Sequence, residues 1–139
     1  MNRDDVIYHL VSADVWRDIG VQDIYYPATY EQDGFVHATA DPGLLLAVAN
    51  NFYRSNPADY LCLEIATAAV TIAGLELRYE APAAVGDASA DIPGVDTQST
   101  VFPHIYGGLQ RSMVRGTHSV TRDDDGRFIA IETLNVVAG

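Results

Sequence analysis

Three histidines sit in the middle of short runs of strand-forming residues: His9 in IYHLV, His37 in GFVHAT and His104 in VFPHIYGG. Histidine is the side chain suited to moving a proton near neutral pH, and it is also the commonest metal ligand. His9 has apolar neighbours on both sides, which equally fits a buried imidazole bonded to backbone. His37 is followed two residues later by Thr39, so in a strand both point to one face. A histidine and a hydroxyl in that relation suit a polar ligand such as a ribose or a phosphate. His104 follows Pro103, whose fixed φ stiffens the approach. In extended chain it shares a face with Phe102 and Tyr106, and Gly107 and Gly108 then permit close approach of backbone to a ligand. A fourth histidine, His118, lies between Thr117 and Ser119 and reads as an exposed strand residue.

Two chemistries could unite the first three. They could be three ligands to a metal with an open fourth position, although no closely spaced His-x-His or His-x3-His pair supports a metal. Alternatively they line a pocket for a nucleotide-like ligand, with Tyr8, Phe35, Phe102 and Tyr106 available to stack on a base. No dinucleotide-binding glycine fingerprint, phosphate-cradling Gly-Lys-Ser/Thr loop or nucleophile elbow is present, so a nucleotide would bind by another route.

The elements that must position these residues can be read from hydrophobic period and punctuation. Val6–Val11 alternates as a strand, with Val6, Tyr8 and Leu10 on one face and Ile7, His9 and Val11 on the other. Ser12 reads as the N-cap of a short helix through ADVWRDI that stops at Gly20, burying Trp16 and Ile19. Pro27 opens a single helical turn and Asp33-Gly34 marks a tight turn. GFVHAT is a second strand carrying Phe35, His37 and Thr39 on one side. Asp41 and Pro42 then start a helix whose apolar face is Leu44, Leu45, Val48 and Phe52. DYLCLEIA is a strand that directs Leu61, Leu63 and Ile65 inward, and GLELRYE is another. Residues 82–100 are rich in Ala, Asp, Gly, Pro and Ser, and a loop of that length predicts a partly mobile, functional segment. The remainder reads as two or three strands around a hairpin at RDDDGR; its aspartates lack the spacing of a calcium loop. Strands dominate, two or three helices fall in the first half, and the connections favour antiparallel pairing. The fold class expected is α+β, with mostly antiparallel strands in a single domain over residues 1–139.

Composition narrows the partners. A chain of 139 residues with 48% hydrophobic content buries one core of ordinary size. Nineteen acidic against eight basic residues give a net charge of −11, which opposes non-specific binding to nucleic acid and to anionic membranes. No signal-like leader or membrane-length apolar run is evident, and the lone Cys62 cannot form an intrachain disulfide, so a cytoplasmic protein is expected. Cys62, in YLCLEI, reads as a small packed hydrophobe rather than a nucleophile.

The segments IYHLV, YYPATYEQDGFVHAT, the helix ending NNFYR, LELRYE and FPHIYGGL, in that order over Val6 to Val114, resemble a bacterial family catalogued as domain of unknown function 952. Some members of that family carry a glutathione S-transferase-like label, but this chain has neither a thioredoxin-like βαβ start nor a second all-helical domain. The family is also distantly similar to the ADP-ribosyltransferase fold, which implies for this chain a split, mostly antiparallel sheet that clamps NAD in its cleft. The resemblance implies NAD or an ADP-ribose derivative as ligand, and transfer of an ADP-ribosyl or phosphoryl group. It places His9 where a first-strand histidine contacts ribose, His37 in the region of a stacking tyrosine, and His104 near a late-strand glutamate. This chain departs from the pattern in having a histidine at the tyrosine position and no late glutamate, for which Glu80 on a neighbouring strand is the substitute. It also has few arginines for phosphate, Arg78 and Arg111 being the nearest.

The expected site therefore comprises His9, His37, Glu80 and His104 as the residues of chemistry. Tyr8, Phe35, Thr39, Phe102, Tyr106 and Gly107 are the expected contacts to the ligand. A binding module without catalysis and a three-histidine metal site are the competing expectations.

Overall fold

The computed structural model describes residues 5–20 and 22–138. The expectation that no leader is present falls partly on residues 1–4, which lie outside the described residues. The architecture is α+β and its strand pairings are antiparallel. One sheet joins β1 (Val6–Ser12), β3 (Tyr60–Ala66) and β6 (Val114–Ser119) in the order β1-β3-β6. A second joins β2 (Val36–His37), β5 (Phe102–Tyr106) and β4 (Glu76–Glu80) in the order β2-β5-β4. The third is a meander of β7 (Thr121–Arg122), β8 (Phe128–Ile131) and β9 (Val136–Val137).

The alternation read in the first strand is realised on two different cores. Ile7 and Val11 of β1, with Leu63 and Ile65 of β3, face Val36 of β2 and Ile105 of β5. Tyr8 and Leu10, with Tyr60 and Cys62, face the other way onto Phe128 and Ile131 of β8. Strands buried on both faces must be apolar nearly throughout, which is why YLCLEI reads as a run as much as an alternation. Cys62 is fully buried and its thiol is pushed up to about 12 by burial, as a packed hydrophobe requires.

The helices are short. Four α-helices are present among the described residues where two or three were expected: α1 (Ala13–Asp18), α2 (Tyr30–Asp33), α3 (Leu45–Phe52) and α4 (Thr67–Ile72). The sequence TAAVTI of α4 carries four β-branched residues and no side-chain cap. It turns because Val70 is fully buried in the first core. A 3-10 turn at Pro42–Leu44 precedes α3, with the Asp41 side chain accepting from Gly43 N as the cap. The buried face of α3 is Leu45, Leu46 and Ala49, not the expected Leu44, Val48 and Phe52. The 3-10 entry rotates the helix relative to a continuous α-helical count.

Pro103 explains where the pairing of β2 with β5 stops. Ala38 N donates to Pro103 O at 3.0 Å, but proline has no N–H to return. The β2–β5 ladder ends there, and the next residue, Thr39, pairs instead with Tyr8 of β1 through two 2.8 Å backbone bonds. The chain at 36–39 thus passes from one sheet to the other, and the split between them opens beside His37.

Residues 81–101 contain no helix or strand, only an isolated bridge between Val85 and Ala88. They are nonetheless packed: Val85 and Ile92 are buried, Gly86 N donates to Asp33, and Ser89 O accepts from Asn51. At the RDDDGR hairpin, Asp123 Oδ1 accepts from the backbone of Asp125 and Arg127. The strand histidine His118, expected to be exposed, is instead largely covered and bonded to Thr133 and Glu64, because the 3-10 turn Glu132–Leu134 folds over it.

Candidate functional site

The register of the second sheet sets His37 directly opposite His104. Their rings meet edge to face at 5.5 Å, and Phe35 stacks on His104 at 4.1 Å with 23° between planes. Each imidazole is held from behind by a carboxylate. Gly34, at φ +86°, ends α2 and reverses the chain, so Asp33 lies against the residue four positions later. His37 Nε2 donates to Asp33 Oδ2 at 2.9 Å, and the Asp33 side chain is only 4% exposed. The β4–β5 register brings Glu80 beside Phe102, from where Glu80 Oε1 accepts from His104 Nδ1 at 2.8 Å and from Tyr106 Oη at 2.5 Å.

Electrostatics follow the geometry. Burial lowers the affinity of His37 and His104 for a second proton, and their carboxylate partners oppose it. The Tyr106 hydroxyl, then His104, holds the Glu80 carboxyl below its usual range. In turn Glu80 raises the Tyr106 phenol, whose ring also lies 4.7 Å beneath the Arg78 guanidinium.

His9 is bound differently. Its Nδ1 donates to His37 O at 2.6 Å, which leaves Nε2 to accept from Tyr25 Oη at 2.9 Å. Burial pushes its pKa down to about 4, so it is a neutral imidazole of fixed tautomer. Both of its nitrogens are occupied, and those of His37 and His104 nearest their carboxylates are occupied too. The three rings therefore do not converge as a metal triad, and no group of three or more His, Cys, Asp or Glu is arranged for a metal among the described residues.

Two adjoining cavities flank these residues. One, of about 30 Å³, is lined by His37, His104, Tyr8, Thr39 and Phe102 together with Pro82, Val85 and Ile92 of the long loop. The other, of about 440 Å³, is lined by His9, Tyr25, Tyr26, Thr29, Asn56 and Tyr60. Leu10, Phe52, Tyr53 and Val85 line both and form the partition.

Of the residues singled out by sequence, His37, His104, Tyr8, Thr39 and Phe102 line the smaller cavity, Phe35 and Glu80 contact its histidines, and Tyr106 contacts Phe35 and Glu80. His9 supports His37 from the side of the larger cavity. Gly107 lines neither. A Cβ there would stand 2.5 Å from Leu75, and its φ of +148° is one that L side chains rarely adopt, so Gly107 serves packing of β5 against the turn before β4. Arg111 is likewise placed elsewhere, bonded to Ile19 O and Trp16 O over the Trp16 ring. Sequence reasoning missed Asp33 and Tyr25. The signal for Asp33 was its i, i+4 relation to His37 across a glycine; Tyr25 had none, since only folding brings it to His9.

The family model described as Protein of unknown function (DUF952) matches residues 10–117. The chain belongs to that family. Among solved structures, the DUF952 chain is similar to the crystal structure of protein CC0527 from Caulobacter crescentus. The two share a TM-score of 0.69 and 22% identity over 94% of this chain and 99% of that one. The solution NMR structure of CC0527 gives a TM-score of 0.56 and 21% identity over 88% and 90% of the two chains. These likenesses establish a shared fold. No curated protein matches the chain.

Proposed function

We propose that this DUF952 protein binds a ribosyl nucleotide of the NAD or ADP-ribose kind at the split between its sheets, and transfers the ribosyl group. The observation that carries the reading is the juxtaposition of three strand-borne histidines, with His9 on the His37 carbonyl and His37 against His104. Ribose hydroxyls would be met by His37, Thr39 and His104. A planar base would find the aromatic walls of the larger cavity, whose volume lies in the range of small-molecule sites. The smaller cavity admits little more than water in its present form, so a nucleotide must displace the Tyr53–Val85 partition or the loop that covers it.

Charge favours ribosyl over phosphoryl transfer. Among the described residues no Lys or Arg lines either cavity, while Asp33 and Glu80 stand behind the two histidines. Such a surround stabilises positive charge developing at an anomeric carbon and disfavours a transferring phosphoryl group. Glu80 acts through His104, since it does not line the cavity.

Amide NMR titration with NAD and then ADP-ribose tests the reading. Saturable shifts at His37, Thr39 and His104 are expected. An unchanged spectrum at millimolar concentrations of both would overturn it.

A further inference from the structure

The two carboxylate-backed histidines form a matched but inverted pair. Asp33 takes the Nε2–H of His37, so His37 presents Nδ1; Glu80 takes the Nδ1–H of His104, so His104 presents Nε2. Neither presented nitrogen has a protein partner among the described residues, although every fully buried side-chain nitrogen or oxygen described is bonded. Both rings line the same small cavity, whose other walls are mainly apolar. A merely structural histidine spends both nitrogens, as His9 does here.

We infer that His37 and His104 are a general acid–base pair, with Asp33 and Glu80 as the positioning residues that fix their opposite tautomers. The rings lie close enough in a sparsely hydrated site that a proton on one opposes a proton on the other. When the pair takes up one added proton it is one imidazolium and one imidazole, which are one acid and one base. The groups that act on this pair are Asp33 from α2, Glu80 and Arg78 from β4, and Tyr106 from β5. Tyr8, Tyr53 and the neutral His9 complete the surround.

The identity of the transferred group rests on the preceding section; the pair itself does not. For ribosyl transfer the bond from the anomeric carbon to the leaving atom breaks, and its electron pair stays on that atom. In an O-linked ADP-ribose derivative the imidazolium protonates that leaving oxygen, whereas nicotinamide, the leaving group of NAD, departs as a neutral ring and needs no acid. An attacking hydroxyl forms the new bond and surrenders its proton to the bare nitrogen of the other ring. With an oxygen leaving atom the pair gains one proton and loses one; with nicotinamide the proton taken from the hydroxyl passes to solvent, and in neither case is an oxidant or reductant needed.

The test is imidazole nitrogen NMR on the full chain labelled at histidine, followed through a pH titration without ligand. His37 should appear as the Nε2–H tautomer and His104 as the Nδ1–H tautomer, with two separated titration steps. In Glu80→Gln the His104 step should move to lower pH, and in His104→Gln the His37 step should move up. A shared tautomer, or a single unsplit step unaffected by Glu80→Gln, would overturn the pair; the wild-type spectrum decides this even if a variant fails to fold. Turnover of NAD or ADP-ribose, where found, should fall by about a hundredfold or more in His37→Gln. Inverted tautomers and split titration without binding of either compound would support the pair while removing the nucleotide reading.

Discussion

Asp33 holds two elements at once: it accepts from His37 in the site and, through both carboxylate oxygens, from Gly86 N in the long loop. The charge that orients the imidazole therefore also seats the loop over the cavity. His9, on the neighbouring strand, contributes the clearest dependence of stability on pH. Its folded pKa of about 4 lies below its ordinary value of 6.5, so the unfolded chain binds the proton more readily. The stability linked to His9 is fully present above pH 6.5 and is lost as the pH falls from there toward 4. The steepest slope is about 1.4 kcal/mol per pH unit. Burial lowers His37 and His104 in the same direction. Urea unfolding between neutral and mildly acid pH should show the loss, and His9→Gln should flatten it; an equal slope in both proteins would mean that carboxylates alone account for it.

At the scale of elements, β3 is the strand on which most depends. It lies between β1 and β6 and is packed on both faces, with Leu63 wholly buried in the core that backs the site. Leu63→Ala should cost about 3 kcal/mol, since neighbouring strands cannot close the void. Chemical denaturation with an unchanged slope against denaturant would check it, and a loss below about 1 kcal/mol would contradict the packing described. The strands and the Asp41–Pro42 helix start were legible because alternation and capping are local signals. The buried face of α3 was displaced by its 3-10 entry, and α4 was illegible because a weak helix former turns only where Val70 finds a core. Pro103 was visible as a break in strand character, but its consequence, the handover of residues 36–39 from β5 to β1, belongs to the pairing of three strands distant in sequence.

For the molecule as a whole, the net charge of −11 and the absence of basic residues, among those described, from either cavity lining predict that ligand affinity owes little to phosphate neutralisation. Calorimetric titration with ADP-ribose should give a Kd that changes by no more than roughly twofold between about 50 and about 200 mM salt. A tenfold weakening over that range would point to a cationic contact outside the cavities, with Arg78 above Tyr106 as the first residue to examine. What the sequence by itself determined were the α+β class, the antiparallel strands, the family, and the candidacy of three histidines with Glu80, because strand period, punctuation and residue chemistry are written locally. Only the tertiary structure decided that His9 is spent on backbone and Tyr25 while His37 and His104 face each other with a carboxylate behind each. That division depends on which nitrogen meets which partner across strands up to 67 residues apart, and a one-dimensional pattern does not encode it.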